Sequence, residues 1–329
     1  MPDSPDLLVI GECVADIVRL PGAPDRTHPR GSPANVAYGL AGLGRSTTLI
    51  TQLGPDPDGR LIAEHLASAG VRVLDDGSGA PTPTATVDLD EAGRATYTFE
   101  IGWTLGTVAW SGEPPRHVHT GSLATALDPG ADTVLDLVES LRPAATVSYD
   151  PNVRPALMGD HARAVRRAER WAALSDIVKA SDEDLRWLYP DDTSETAAER
   201  WLRSGPAVVL VTRGAGGATA FLPGGTVGAD APPVRVVDTV GAGDAFMSAA
   251  LHALASYGLL GGRARARLRS LDATVLGDVL RHAVASAAVT VGRAGALPPD
   301  EEELAAALTG VPVRERQTLQ GCPRPHHDR

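Results

Sequence analysis

The chain has 329 residues, of which 43% are hydrophobic and 22% are charged, a globular composition that allows one large domain or two ordinary ones. Its formal net charge is −11 at pH 7 and its arginines are scattered, which indicates neither a nucleic-acid groove nor an anionic membrane surface. We therefore expect small molecules or protein as partners.

The N-terminal segment and the cysteines indicate a soluble, cytoplasmic protein. The apolar run L-L-V-I-G has no basic region before it and is too short for a signal peptide or a membrane span. Cys13 and Cys322 belong to no C-x-x-C motif and to no Cys/His cluster of metal spacing. Lys179 is the only lysine, and it does not stand in a Walker A motif, so nucleotide phosphates must be held in another way.

Short apolar runs bounded by turn residues predict strands at the N-terminus and at residues 47–51, 145–150, 176–180 and 207–212. Between most of them lie segments whose apolar residues recur at intervals of three and four, as in helices. This alternation predicts an α/β fold with a parallel sheet covered on both faces. In such sheets ligands bind at the carboxyl ends of the strands.

The first candidate site follows the first predicted strand. Asp16 lies just beyond that strand, and the segment R-G-S-P-A-N places Gly31 and Asn35 at the opening of a predicted helix. A carboxylate and an amide near a strand end suit sugar hydroxyls. Taken alone, Asn35 fits a helix N-cap better than a ligand contact.

The segment from Thr84 to Ile101 alternates with period two around an E-A-G-R turn, which predicts a hairpin with one polar face. Such a hairpin inside an α/β chain is either an edge decoration or a flap over a site, and the sequence favours neither. An extended piece at residues 16–20 could pair with it. Phe99 and Trp103 are candidate apolar walls of a pocket, although packing is the commoner role of such aromatic residues.

The segment D-P-N-V-R-P, residues 150–155, follows a predicted buried strand. Its Asp-Pro-Asn sequence is favourable turn chemistry and needs no function. Arg154, however, would lie at a strand's carboxyl end, where a guanidinium can bind a phosphate or a pair of hydroxyls.

The segment D-T-V-G-A-G-D-A-F, Asp238 to Phe246, predicts a tight loop that opens a helix, where free amides attract anions. Asp244 ends this loop. A carboxylate there ordinarily stabilises the helix dipole by about 0.3–1 kcal/mol, but beside a phosphate it is repulsive unless it has a chemical task. Removing the proton of an attacking hydroxyl is such a task, while the loop amides stabilise the transferring phosphoryl group.

Residues 311–329 are polar and lack periodicity, so we expect a disordered tail. Its His326-His327 pair could bind a metal ion, but an exposed terminal dipeptide is far more often only solvated.

Two of these motifs resemble the signatures of the ribokinase-like (PfkB) carbohydrate kinases. D-T-V-G-A-G-D-A-F resembles the family's C-terminal signature, and G-S-P-A-N-V-A-Y-G-L-A-G-L-G resembles its N-terminal glycine signature, in the same order. D-P-N-V-R is similar to the D-x-N-x-R of fructokinase-like members. The resemblance runs from Leu7 to about Pro299. It implies a three-layer α/β/α kinase domain over residues 1–310, with a small β lid formed by segments at about 12–30 and 82–105.

The resemblance also implies the site residues. Asp244 would be the general base, and the amides of Gly241, Ala242 and Gly243 the anion hole. The expected sugar-binding residues are Asp16, Gly31, Asn35, Asn152 and Arg154, with Gly121 as a weaker candidate. V-T-R-G-A-G-G resembles the family's V-T-x-G-x-x-G, which assigns Thr212, Gly214 and Gly217 to the nucleotide, although these glycines also fit a hairpin turn.

The cofactors implied are ATP and Mg²⁺, with K⁺ as a further cation. Asp238 and the Val240 carbonyl would lie around K⁺, with V-G-R-A-G-A as the companion loop. Where many members carry N-x-x-E for magnesium-linked waters, this chain has Ser181 and Asp184. The Asp184 side chain is one methylene shorter than Glu and would need a backbone shift or another water. Family members often pair through the lid, so a homodimer is expected.

A second departure is Arg30, which stands where the family usually has glycine and could narrow the sugar pocket or recruit a charged substrate. The predicted activity is phosphorylation of a fructose-like hexose, with ribose, 2-keto-3-deoxygluconate or a nucleoside as alternatives. An inactive sugar- or nucleotide-binding regulator on the same fold is the alternative from another class. A dinucleotide dehydrogenase is excluded because G-E-C-V-A-D, not G-x-G-x-x-G, follows the first strand.

Overall fold

The computed structural model describes residues 6–89, 94–106, 108, 110, 113–310 and 313–317. The strands are β1 (Leu7–Ile10), β2 (Val14–Arg19), β3 (Arg26–Arg30), β4 (Thr47–Thr51), β5 (Arg72–Asp75), β6 (Thr84–Leu89), β7 (Ala95–Glu100), β8 (His117–Gly121), β9 (Thr146–Asp150), β10 (Ile177–Ser181), β11 (Val208–Thr212), β12 (Ala218–Leu222), β13 (Gly225–Ala229) and β14 (Val313–Gln317). The helices are α1 (Ser32–Gly42), α2 (Pro57–Ser68), α3 (Gly130–Leu141), α4 (His161–Leu174), α5 (Asp182–Leu188), α6 (Ser194–Ser204), α7 (Ala242–Ser256), α8 (Arg265–Arg269), α9 (Ala273–Val291) and α10 (Glu301–Ala307).

The central sheet has the strand order β14-β13-β12-β11-β10-β9-β8-β1-β4-β5. The pairs from β5 through β11 are parallel, and β12, β13 and β14 are added antiparallel at one edge. The five strands that the apolar runs predicted are β1, β4, β9, β10 and β11, so the predicted parallel α/β sheet is confirmed.

Two hydrophobic cores cover the sheet, one on each face. Alternate residues of β1 enter different cores, with Leu7 and Val9 in one and Leu8 and Ile10 in the other. The first core holds residues of α1, α2, α7 and α9, and the second holds residues of α3, α4, α5 and α6. The arrangement is the expected three-layer α/β/α fold, in which strands buried on both faces need continuous apolar runs.

A separate four-stranded sheet, with the order β3-β2-β6-β7, forms the lid. The predicted hairpin is the antiparallel pair of β6 and β7, and β2 pairs with β6, as expected for the segment after Asp16. Part of the predicted E-A-G-R turn lies outside the described residues. Lid residues line the large cavity of the molecule, which favours a flap over a site rather than an edge decoration.

The structure differs from the expected disordered tail at residues 313–317. These residues form β14, which pairs antiparallel with β13 and extends the sheet at its edge. An open sheet edge offers unpaired backbone groups to any passing segment, so this pairing needs no hydrophobic pattern in the sequence. Residues 311, 312 and 318–329, including Cys322 and the His326-His327 pair, lie outside the described residues.

Helix α9 is the one helix in the described part of the chain that is long and apolar enough to cross a membrane. Half of its apolar window is buried inside the fold, where it packs on α7 and on β13. This packing is that of a core helix, so its length and composition are only weak evidence for a membrane span.

Candidate active site

A cavity of about 870 Å³ lies between the lid, the carboxyl ends of β9, β10 and β11, and the start of α7. Fifteen of the predicted site residues line it: Asp16, Gly31, Asn35, Asn152, Arg154, Ser181, Asp184, Thr212, Gly214, Gly217, Val240, Gly241, Ala242, Gly243 and Asp244. Segments about two hundred residues apart in sequence therefore meet at one place. The position agrees with the general location of ligands at the carboxyl ends of parallel strands.

Asp244 lies in the first turn of α7 and is only 8% exposed, but its side chain borders the cavity. Ser32 Oγ donates a hydrogen bond of 2.7 Å to Asp244 Oδ1, and Asn35 Nδ2 donates one of 2.7 Å to Asp244 Oδ2. The two bonds fix the orientation of the carboxylate and join the starts of α1 and α7. Each oxygen can still accept a further hydrogen bond.

The start of α7 has the geometry of an anion-binding loop. Gly241 is the N-cap, with φ 77°, and a Cβ on this residue would lie 2.6 Å from Ala296 Cβ. Only glycine fits this left-handed, closely packed position. The Ala242 amide donates to the Thr239 carbonyl at 3.3 Å, whereas the amides of Gly241 and Gly243 belong to the helix start, where no intrahelical acceptor exists.

Asn35 is not the N-cap of α1, because that position is Gly31 and no side chain caps the helix. The Asn35 amide instead holds Asp244, so its observed role is positioning a carboxylate. Gly31 has φ 118°, and a Cβ there would lie 2.4 Å from the Glu12 carbonyl oxygen. The chain after β1 passes so close to residue 31 that only glycine fits there.

Arg30 lies beside the cavity, with Nε 3.6 Å from Asp16 Oδ2 and Nη1 donating to the Gly295 carbonyl at 3.3 Å. Burial raises the pKa of Asp16, an effect that Arg30, His28 and Arg154 partly offset. Arg30 lines the cavity, and its charge is directed at Asp16. Its observed contacts give no support for recruitment of a charged substrate.

The D-P-N-V-R segment forms a tight loop at the end of β9. Asn152 has φ 37°, a left-handed conformation that asparagine tolerates. Its backbone N–H donates to Asp150 Oδ1 at 3.2 Å. Arg154 Nη1 donates to the carbonyls of Asn152 at 3.3 Å and Val153 at 3.1 Å. These contacts hold the guanidinium against its own loop at the cavity wall.

Asp184 and Ser181 form a capping box at the start of α5. Asp184 Oδ2 accepts from the Ser181 amide and Asp184 Oδ1 from the Val153 amide, each at 2.8 Å. Both oxygens thus tie the end of β10 to the loop after β9. The short aspartate makes both bonds, and the carboxylate still borders the cavity.

Val240 lines the cavity, whereas Asp238 is not among the described residues that line it. Its Oδ1 accepts from the Val240 amide and its Oδ2 from the Gly295 amide, each at 3.0 Å. These two bonds lower the pKa of Asp238 and link the glycine loop to the companion loop that the sequence indicated. Among the described residues, no group of three or more His, Cys, Asp or Glu side chains is arranged to hold a metal ion.

One further expectation differs from the structure, and for Trp103 the structure decides between a pocket wall and packing. Ser122, rather than Gly121, borders the cavity, since a Cβ on Gly121 would lie 2.0 Å from the Asp150 carbonyl oxygen and the residue packs against β9. Trp103 is 2% exposed in the second core, where its Nε1 donates to the Ala124 carbonyl, so its role is packing. Phe99, which is 46% exposed, does line the cavity.

Sequence reasoning missed several lining residues. Ser32 lies inside the G-S-P-A-N motif without a signal of its own, and Lys179 lies in an apolar strand. Glu12 is also buried, and burial raises its pKa to about 7, although hydrogen bonds, including one from the Ala124 amide, lower the pKa in part. An apolar group also lines the far end of the cavity: Pro232, Pro233, Val234, Val236, Val284, Ala287, Ala288 and Val291. No local pattern in the loop 231–236 predicts this apolar surface, because the residues that complete it belong to α9.

Comparison with known proteins places these residues in a family context. A family model described as pfkB family carbohydrate kinase matches residues 4–303. A fructokinase from Salmonella typhimurium is 35% identical over 264 residues, which cover 76% of this chain and 85% of the relative.

Two solved structures are similar over nearly the whole chain. A double-mutant fructokinase from Vibrio cholerae O395, bound to fructose, ADP and potassium ion, has a TM-score of 0.78 at 27% identity, covering 94% of this chain and 100% of that one. Aminoimidazole riboside kinase from Salmonella enterica, in complex with aminoimidazole riboside and an ATP analogue, has a TM-score of 0.74 at 25% identity, covering 92% and 99%.

Proposed function

The chain belongs to the pfkB family of carbohydrate kinases and is a fructokinase-like phosphotransferase with an alcohol acceptor, and on this premise we propose that it transfers the γ-phosphoryl group of ATP to a hydroxyl of a fructose-like hexose. The observation that carries the proposed mechanism is the placement of Asp244. Its carboxylate is fixed by Ser32 and Asn35 at the opening of α7 and borders the cavity.

In the proposed reaction, Asp244 accepts the proton of the sugar hydroxyl as its oxygen attacks the γ-phosphorus. A new phosphorus–oxygen bond forms, the bond to the β-phosphate oxygen breaks, and ADP leaves with that electron pair. The amides of Gly241 and Gly243, with Ala242 released from its turn, stabilise the charge on the transferring group at the positive end of the helix dipole.

We propose that the sugar lies at the lid end of the cavity. Asp16, Asn152 and Arg154 supply hydroxyl-binding groups there, and Phe99 of β7 supplies an apolar wall. The Asn35 side chain can bind the sugar with its Oδ1 and its second N–H, which are not used in the bond to Asp244. Gly31 allows the chain to approach the ligand. The hydrogen-bonding capacity of this end is suited to a polyhydroxy substrate.

We propose that the nucleotide lies along the opposite end. The turn between β11 and β12 places Thr212, Gly214 and Gly217 at the cavity wall, and Ser181 lies at the end of β10. The apolar group from the loop 231–236 and α9 provides a surface on which a flat adenine ring can pack. Solved structures of similar proteins contain ADP or an ATP analogue, which supports a nucleotide as one of the two ligands.

Magnesium is proposed to enter with ATP. The cavity is lined by six carboxyl groups and three cationic side chains in the described part of the chain, so an unaccompanied triphosphate would meet an excess of negative charge. Mg²⁺ is commonly held by substrate phosphates with one or two carboxylates, and the donor set here fits that mode, with Asp184 contacting a metal-bound water. The ion would supply neutralisation of the phosphate charge.

We propose that a monovalent cation binds near Asp238. The Vibrio structure contains potassium ion. In this chain Asp238 links the glycine loop to the companion loop, and these are the two loops that the resemblance assigned to K⁺. The Val240 carbonyl and the companion loop would supply oxygen ligands. Both Asp238 oxygens already accept amide hydrogen bonds, so a cation there would share them.

We propose that residues 1–310 constitute the kinase domain, that the lid sheet closes over the sugar, and that two copies pair through the lid. The exposed Tyr97 of β7 stacks on Phe99, with 6.4 Å between the ring centroids, and offers an apolar surface for contact with a second copy. A cytoplasmic location is proposed because the Cys13 thiol is free and buried.

A coupled ADP-release assay with fructose, ribose, 2-keto-3-deoxygluconate and adenosine, with and without potassium, tests the substrate. We expect the highest kcat/KM with fructose. Preference for another member of the panel would replace the hexose assignment, and binding of sugars and ATP without any ADP release would favour the inactive regulator. The retained, doubly hydrogen-bonded Asp244 argues against the regulator.

A further inference from the structure

The only lysine of the chain is buried beside the anion-binding loop. Lys179 lies on β10, and its Nζ donates to Asp150 Oδ2 at 2.8 Å, with the two side chains 5% and 1% exposed. Lys179 borders the same cavity as Gly243 and Asp244. A Cβ on Gly243 would lie 2.9 Å from Lys179 Nζ, so the ammonium group is directly against the helix start.

More carboxyl groups surround Lys179 than the one, Asp150, with which it forms an ion pair. Burial lowers the pKa of Lys179, but Asp150, Asp184 and Asp244 together outweigh burial and raise it, so the ammonium group stays charged. Burial also raises the pKa of Asp150 to about 6, with Lys179 opposing the rise. One ammonium group therefore faces three carboxyl groups, in a cavity that must receive phosphates.

The other cationic side chains that line the cavity in the described residues are engaged elsewhere. Arg30 is directed at Asp16 and at the Gly295 carbonyl, and Arg154 is bonded to its own loop. Lys179 is thus the cation positioned beside Gly243. A charged donor in a site that excludes water stabilises developing phosphoryl charge far more strongly than it would in solution.

We propose that Lys179 is a catalytic residue whose ammonium group, held by Asp150, donates a hydrogen bond to a non-bridging oxygen of the phosphoryl group during its transfer, beside the Gly243 amide. The inference rests on the proposed function. Lys179 keeps its protons throughout the step, the sugar proton goes to Asp244, and ADP is the leaving group.

The proximity of Lys179 accounts for glycine at position 243, although the backbone there is not in the left-handed region. Any side chain at this position would collide with the ammonium group and displace it from the helix start. In this chain the second glycine of G-A-G-D thus makes room for Lys179 as well as for the phosphate.

The experiment compares Lys179→Met with the double variant Lys179→Met/Asp150→Asn and with Arg265→Met. Arg265 Nε lies 2.9 Å from Asp176 Oδ1, the buried carboxyl just before β10, so it forms a matched ion pair at the opposite end of the same strand. We expect kcat to fall about 10²–10³-fold in Lys179→Met. Arg265→Met should lower Tm and leave kcat unchanged.

The double variant separates catalysis from charge balance. It removes the unpaired Asp150 carboxylate, so folding should be restored as judged by Tm, while kcat should remain as low as in Lys179→Met. Recovery of wild-type kcat in the double variant would show that Lys179 serves only to neutralise Asp150 and would overturn the proposal. Unchanged kcat in Lys179→Met would overturn it as well.

A second readout does not depend on turnover. With ¹⁵N-labelled lysine the protein should give a single side-chain ammonium signal, and we expect it to shift when AMP-PNP is added with fructose but not when ADP is added with fructose. Equal spectra with AMP-PNP and ADP would overturn the contact. Absence of ADP release by the wild type would overturn the proposed function and this inference together, whereas an active wild type with an insensitive Lys179 would overturn the inference alone.

Discussion

At the scale of single residues, the site depends on carboxyl groups whose partners come from distant parts of the chain. Asp244 is held by Ser32 and Asn35, and Asp150 by Lys179. The first two hydrogen bonds join the starts of α1 and α7, and the third joins the end of β9 to the neighbouring strand β10. Substitutions that keep shape and change charge are therefore the most informative.

Replacement of Asp244 by Asn should abolish base catalysis while keeping the fold. The new amide can accept from Asn35 and donate to Ser32 after the Ser32 hydroxyl rotates, so packing is preserved. We expect kcat to fall by about 10²–10⁴-fold, with sugar affinity unchanged, in steady-state kinetics and calorimetric titration. Asp300→Asn, at the N-cap of α10, is the control and should retain full turnover; normal turnover in Asp244→Asn would rule out the base assignment.

Glu12 should make stability depend on pH. Burial raises its pKa from 4.5 to about 7, so between these values the folded protein holds a proton that the unfolded chain has lost, and stability falls as pH rises through this window. Glu12→Gln removes this dependence. The variant should gain about 2–3 kcal/mol in free energy of unfolding relative to the wild type between pH 5 and pH 8, measured by urea denaturation. A difference that does not vary with pH would contradict the assignment.

At the scale of elements, the start of α7 is the proposed phosphate-binding element. Its first turn combines a left-handed N-cap, small residues and a buried aspartate, and α1 packs against it. The two glycine-containing signatures are therefore the contacting starts of two helices, which explains why each carries small residues.

Gly241→Ala should disturb this turn. The new methyl group incurs the cost of a left-handed conformation, about 1–2 kcal/mol, and also collides with Ala296, so the loop must move. We expect KM for ATP to rise and kcat to fall. Gly159→Ala is the matched control, because Gly159 has φ 65° with nothing within 4 Å of its Cβ position; equal kinetic effects of the two substitutions would contradict a role for the α7 loop in ATP binding.

At the scale of the whole molecule, one cavity is shared by the lid and the α/β body. Lid residues such as Asp16 and Phe99 line it together with residues of β11 and α7. Under the proposed function two ligands lie side by side in this cavity and both favour closure of the lid, so we expect their binding energies to be coupled.

Fructose and AMP-PNP together should therefore raise Tm by more than the sum of their separate effects, as measured by differential scanning calorimetry. Adenosine in place of AMP-PNP is the control, since it lacks the phosphates that reach the start of α7. Strictly additive shifts would argue that the lid does not close over both ligands.

The sequence by itself determined the parallel α/β fold, because buried strands need continuous apolar runs and their covering helices need periodic apolar faces. It also determined the polar segments of the cavity, though not its apolar part from the loop 231–236 and α9, since glycine-rich helix starts and polar strand ends have local signatures. The hairpin and its pairing with the strand after Asp16 were readable for the same reason.

Only the tertiary structure decided what the individual groups do. Asn35 holds Asp244 instead of capping α1, Gly121 packs against β9, Trp103 is in the core, and residues 313–317 join the sheet edge. Lys179 is one residue in an apolar strand until folding brings Asp150 and Gly243 to it. Local pattern specifies the conformation of a segment, whereas hydrogen-bond and charge partners depend on which strand ends and helix starts become neighbours.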